Sequence, residues 1–106
     1  MVLYIIHGTD DLRKSARIRA ERLADHLAYL EQHRDLIVLG GARLAKDGAT
    51  RIGSTLILNV TSREQAVEFS ENEPFRRAGL YRGVEIDRMR RAQWRPEIAP
   101  GTADGN

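Results

Sequence analysis

The sequence predicts an α+β fold in which four strands and two helices follow the order β-α-β-β-α-β. Three observations point to it. Apolar runs of strand length open the chain at 2–7 and return at 36–41, 52–60 and 81–91. Between the first two runs, Leu12, Ala16, Ala20, Leu23, Leu27 and Leu30 recur at steps of three and four, the period of one helix face. Between the last two, Ser62 and Gln65 have the spacing of a capping box that opens a second helix.

The elements follow in order. "VLYIIH" is β-branched and aromatic, and Gly8 is expected to end it. Thr9 and Asp10 offer N-cap oxygens to a helix that begins near Leu12 and stops near His33 to Asp35. "LIVLGG" is a short strand closed by two glycines. Asp47-Gly48 is a turn pair that supplies the positive φ of a hairpin connection, so the strands at 36–41 and 52–60 pair antiparallel. Thr61 and Glu64 fit the second capping box one residue earlier than Ser62 and Gln65. Pro74 disfavours helical geometry at Glu73, so the second helix ends before it and "PFRRAGL" reads as a turn-rich connector. In the last strand Val84, Ile86 and Arg88 alternate with Glu85 and Asp87. "RPEIAPGTADGN" reads as a flexible tail, which gives one domain over residues 1–94 and a tail over 95–106. This order is the ferredoxin-like pattern, an antiparallel sheet with both helices on one face.

Both faces of that sheet are apolar. Val2, Tyr4 and Ile6 oppose Leu3 and Ile5; Leu36 and Val38 oppose Ile37 and Leu39; Leu56, Leu58 and Val60 oppose Ile57. Two helices cover one face, and an antiparallel sheet with a solvated face would alternate apolar with polar residues. A second copy of the chain, stacked sheet to sheet about a twofold axis, would cover the other. The expected assembly is therefore a homodimer, with each large side chain so buried contributing about 1.5–3 kcal/mol.

Composition narrows the function classes. At 106 residues, 42% hydrophobic and 30% charged, the chain has the make-up of an ordinary globular domain. No apolar run approaches the roughly 18 residues of a membrane span, and "MVLYIIHG" reads as a strand rather than a signal peptide. With no cysteine, disulfides and thiolate zinc sites are excluded, and the cytoplasm is the expected compartment. A net charge of +2, with scattered aromatics and no concentrated basic stripe, argues against nucleic acid as a partner.

His26 is the residue that raises a chemical question. On a helix it lies about 60° from Leu23 and 40° from Leu30, at the edge of the apolar seam. It is either a half-buried histidine bonded to a backbone carbonyl or a general base or acid, since imidazole titrates near neutral pH. Glu73, held in non-helical backbone ahead of Pro74, is a carboxylate that a rigid chain can aim at it. Gly53 at the start of the third strand permits either a bend or the close approach of a ligand. Ser54 can donate a hydrogen bond into a pocket. Phe75 and Tyr81 either wall an aromatic substrate or pack in the core. Arg43 either binds a carboxylate or is solvated at the surface. His33, at the end of the first helix, suits the helix dipole. His7, His26 and His33 lack metal-ligand spacing, so no metal is expected, and no glycine-rich phosphate loop occurs, so no nucleotide cofactor is expected.

Several segments together resemble the YciI (YCII-related) family. They are "YIIHGTDD" ahead of the long helix, "LADHLAYL" beside the family's Arg-Pro-Ala-His-Leu, "LIVLGGARL", "IGSTLIL", and "ENEPFRRAGLYRGVEI" beside Ala-Asp-Pro-Tyr/Phe-x-x-Ala-Gly-Leu. The resemblance spans about residues 2 to 92. It implies a dimeric α+β barrel built from ferredoxin-like protomers, with a His-Asp pair in a pocket. The family histidine falls on His26 and the family aspartate on Glu73. Glu is one methylene longer than Asp, and Leu23-Ala24-Asp25-His26 lacks the family proline. The expectation is a small cofactor-independent enzyme that uses His26 and Glu73 for proton transfer of the isomerase or lyase type on a small organic molecule. The alternative is a non-catalytic dimer that binds a small molecule.

Overall fold

A computed structural model describes residues 1–106. Strands β1 (Val2–Asp10), β2 (Ile37–Leu44), β3 (Arg51–Val60) and β4 (Tyr81–Met89) form one antiparallel sheet in the order β2-β3-β1-β4. Helices α1 (Ser15–Gln32), α2 (Arg63–Glu71) and the short α3 (Pro74–Arg77) complete the ferredoxin-like α+β fold on one face of the sheet. Residue alternation sets that face: Tyr4, Ile6, Leu58 and Val60 point inward and pack with Ala66 and Phe69 of α2. A second cluster joins Ile18 of α1 to Phe75 of α3 and Leu80.

Several expected boundaries move, each for a physical reason. β1 does not end at Gly8 but runs to Asp10. Gly8 is needed inside the strand, because a Cβ there would lie 2.7 Å from the ring of Tyr81. Asp10 caps nothing; its buried carboxylate takes a two-point ion pair from Arg19, at 2.9 and 3.0 Å. α1 therefore starts at Ser15, without a side-chain cap, and Leu12 lies outside it. β2 continues past its glycines to Leu44, because the hairpin keeps pairing until Asp47-Gly48 turns the chain. There Gly48 has φ 70°, and the Asp47 carboxylate accepts the Ala49 and Thr50 N–H groups at 2.9 Å. The alternation expected across 36–39 breaks: Leu36 lies in a 3₁₀ turn, and a bulge leaves Val38 without a ladder partner. Of the two candidate capping boxes, Ser62 takes the N-cap position, accepting the Gln65 N–H at 3.2 Å.

The largest departure is the segment after Pro74. It is not a plain connector but a helix, α3, with Pro74 in its first turn, where a missing N–H costs nothing. Gly79, at φ 85°, ends it: the Gly79 N–H reaches the Arg76 carbonyl at 3.0 Å and the Leu80 N–H reaches Phe75 at 3.1 Å. α3 occupies one flank of α1, so α1 packs on it through Ile18. The apolar seam is turned elsewhere: Leu23 and Leu27 remain half-exposed, at 49% and 54%, and border a cavity between α1 and the β2–β3 half of the sheet.

On the opposite face, register places Ile5 between Ile57 and Asp87, and Leu39 beyond Ile57, where it is 66% exposed. No helix is long and apolar enough to cross a membrane. Past β4, residues 96–98 make one exposed 3₁₀ turn.

Two carboxylates, Asp11 and Asp47, give this fold an acid-sensitive edge. The hydrogen bond from Arg13 holds Asp11 down at about 2, and those from Thr50 and Ala49 hold Asp47 at about 2. Each is depressed in the folded chain, so the unfolded chain binds more protons between about pH 4 and pH 2. Urea unfolding followed from pH 5 to pH 2 is expected to show stability falling through this window. Asp47→Asn is expected to flatten the fall.

Candidate active site

His26 sits on the inward side of α1, 18% exposed, and its ring stacks on Phe75 of α3, centroids 3.9 Å apart and planes 12° from parallel. Phe75 is itself buried and has the Arg19 guanidinium 5.3 Å from its centroid. The imidazole is thus held flat by an aromatic plate that cannot move without opening the second core cluster.

Glu73 closes the arrangement. Its Oε1 lies 2.5 Å from His26 Nδ1, and its Oε2 accepts the Arg76 N–H at 3.2 Å, capping α3. A carboxylate only accepts, so the tautomer that fits this contact has the proton on Nδ1 and leaves Nε2 able to accept one. The extra methylene of Glu does not keep the carboxylate from the ring. Because one oxygen is fixed by the helix cap, the other is aimed by backbone rather than by a free side-chain rotamer. Tyr29 fastens the same stretch of α1, donating its hydroxyl to the Phe69 carbonyl at 2.8 Å.

The pair opens onto the cavity between α1 and the sheet, about 530 Å³ in volume. Its apolar walls are the α1 seam, Ala16, Ala20, Leu23, Leu27 and Leu30, with Ile37 and Leu56 from the sheet. Gly40 and Ala42 of β2 keep the sheet side low. Polar groups are few: His26 and Glu73, Arg19, Arg51, and the Ser54 and Tyr81 hydroxyls, which are 2.5 Å apart. A large, mostly apolar cavity with a few convergent polar groups is the form of a small-molecule site.

Of the seven residues singled out in the sequence, five border this cavity: His26, Glu73, Ser54, Phe75 and Tyr81. The other two, Gly53 and Arg43, do not. They face the opposite side of the sheet, in register with Thr9. There the Arg43 guanidinium crosses the bare Cα of Gly53 to donate to the Gly8 carbonyl at 3.0 Å and the Thr9 hydroxyl at 3.2 Å. Gly53 thus makes room for an arginine, and Arg43 ties strands together. Alternation alone separates them from Ser54. Nothing in the sequence singles out Arg19 or Arg51 for this cavity, and Asp10 reads there only as a cap. Asp10, at the end of β1, pairs with Arg19 of α1 nine residues on, and no local spacing announces that. No cluster of three or more His, Asp or Glu side chains could hold a metal ion.

Phe75→Ala is expected to lower stability by about 3–5 kcal/mol, the cost of emptying a buried aromatic site. Phe75→Leu should restore much of that stability but leave the imidazole ring without its plate. Chemical denaturation measures the first effect, and broadening of the His26 ring resonances the second.

Comparison with known proteins agrees with this architecture. The profile of the YCII-related domain matches residues 2–90. Among solved structures, 5-chloro-2-hydroxyhydroquinone dehydrochlorinase (TftG) of Burkholderia phenoliruptrix AC1100, in complex with 2,5-dihydroxybenzoquinone, is 31% identical. The match covers 85% of this chain and 95% of that one, with a TM-score of 0.75. No curated protein matches the sequence. A match over residues 2–90 of 106 places the chain in the YCII-related domain family.

Proposed function

We propose that this protein is a cofactor-independent enzyme that moves a proton on a small oxygenated ring, with His26 as the base and Glu73 as the group that orients it. The observation that carries the reading is the 2.5 Å contact between Glu73 and His26 Nδ1 on the wall of a large apolar cavity. A histidine bonded on one nitrogen by a fixed carboxylate offers the other nitrogen in a defined tautomer and direction, the arrangement that general-base chemistry needs. The second support is the similar dehydrochlorinase, whose complex holds a dihydroxylated quinone.

Loss of hydrogen halide suits these parts. Nε2 of His26 accepts a proton from the substrate. The electron pair of the broken bond becomes part of a new double bond, and the halide leaves with the carbon–halogen pair. The net change is one H⁺ and one halide released, with no oxidant required. Glu73 stabilises the imidazolium that forms without taking the proton itself. The apolar walls limit water near the ring and strengthen each charge interaction. Both members of the pair come from the same chain.

We also read the outer sheet face as a dimer interface. Leu3, Ile5, Ile57 and the exposed Leu39 share that face, and no helix of this chain covers it. Sheet-to-sheet pairing would bury them and leave the cavities on the outer, helix-bearing sides. The absence of cysteine fits a cytoplasmic workplace.

With 5-chloro-2-hydroxyhydroquinone as the test substrate, His26→Asn and Glu73→Gln are expected to lower kcat about 10²–10⁴-fold, the range of a general base. Chloride release and proton release should match one to one. Wild-type protein that releases no chloride from this compound or from related halogenated hydroxyarenes would overturn the reading. For the assembly, sedimentation should show a dimer that Ile57→Asp converts to monomer; a monomeric wild type contradicts it.

A further inference from the structure

We infer that Ser54 and Tyr81 form one hydrogen-bonding unit that recognises an oxygen of the substrate ring as His26 takes its proton. The inference deepens the proposed function and rests on it for the identity of the reaction, but the recognition can be tested without turnover.

The unit is built across three strands. Tyr81 belongs to β4 and Ser54 to β3, with β1 between them. Gly8 of β1 is the direct ladder partner of Ser54. The Tyr81 ring lies over Gly8, where any Cβ would come within 2.7 Å of it, and its hydroxyl reaches Ser54 Oγ at 2.5 Å. A glycine in the middle of a buried strand costs stability and packs nothing. Here it lets an aromatic ring cross a strand and bring a phenol to the cavity wall.

Two hydroxyls joined by one hydrogen bond contain two protons and use one. Whichever oxygen donates to the other, one O–H remains to be offered. Both residues line the cavity that His26 and Glu73 also line. Burial, with the nearby Glu73 and Asp10 charges, raises the Tyr81 phenol above its ordinary value near 10, against the pull of Ser54 and Arg19. The unit is therefore neutral and donating at neutral pH. Arg19 also lines the cavity on this side, with its charge balanced by the two-point ion pair to Asp10.

The site thus has two unlike poles. His26 and Glu73 receive a proton. Ser54 and Tyr81 face an oxygen that becomes negative when that proton leaves. The ligand class that meets both is a ring bearing a hydroxyl or carbonyl in conjugation with the position that loses the proton: a phenol, a hydroquinone or a hydroxyquinone. Hydrocarbon rings of the same size would fill the apolar walls and leave this unit without a partner.

Because either hydroxyl alone can still donate, the variants should not be additive. With 2,5-dihydroxybenzoquinone as the probe, Tyr81→Phe and Ser54→Ala are each expected to weaken binding less than about tenfold. The double variant should weaken it roughly 10–100-fold, as for the loss of a hydrogen bond to a charged group. Chlorobenzene, which has no ring oxygen, should bind all four proteins within about twofold, as measured by ligand-observed NMR. With the chlorinated hydroquinone, the double variant should lose kcat as well as affinity. Equal quinone binding by wild type and double variant, no quinone binding by wild type, or parallel loss of both ligands would each overturn the assignment. Selection of the quinone by a wild type that shows no turnover would uphold it and overturn the catalytic role of His26 instead.

Discussion

Glu73 does two jobs with two oxygens, and the arrangement of the cavity follows from that division. One oxygen caps α3 and the other holds His26 of α1. The carboxylate is buried, which is costly unless it is fully bonded. A charged hydrogen bond to an imidazole and a backbone N–H at a helix start offset that cost together. The interaction that orients the candidate base therefore also helps to tie α1 to α3. A change that freed the carboxylate would loosen a helix junction as well as a catalytic pair.

The fold supplies the rest by leaving something unfilled. α2 closes down on β1, β3 and β4, whereas α1 rests on α3. The space between α1 and the β2–β3 edge stays open, walled by leucines and alanines that a tighter packing would have buried. A domain of 106 residues has little apolar surface to spare. Half-exposed leucines along a cavity forgo burial, and a ligand with an apolar ring would recover part of it. The polar groups then decide which ring. They sit on two kinds of element: His26 on a helix plated by Phe75, and Ser54 and Tyr81 on two strands of the sheet with β1 between them.

Small residues carry much of this geometry. Gly8 admits Tyr81, Gly53 admits Arg43, and Gly40 clears the side chain of Leu56. Each lies within a strand, at a position where a side chain would strike a neighbour. Only Gly48, Gly79 and Gly105 are present for a positive φ. Glycine in this sheet marks where side chains cross strands more than where the chain bends.

The sequence by itself determined the order of elements, the two faces of the sheet, the Asp47-Gly48 turn and the second helix start, because alternation, helical period and turn chemistry are local properties. It also singled out His26 by its place at the edge of the helix seam and Glu73 by its place ahead of Pro74, but only resemblance matched the two to a family pair: nothing in a separation of 47 residues states a distance. The tertiary structure alone decided that the two touch and that α3 forms at all, since Pro74 reads equally as a stop or as a first turn. It alone turned the α1 seam toward a cavity, and put Gly53 and Arg43 on the far side of the sheet from Ser54. The physical reason is the same in each case. Local rules fix which way a side chain points from its own strand or helix. What stands in front of it depends on register shifts, helix docking and close approaches between distant segments, and these are settled only when the whole chain packs.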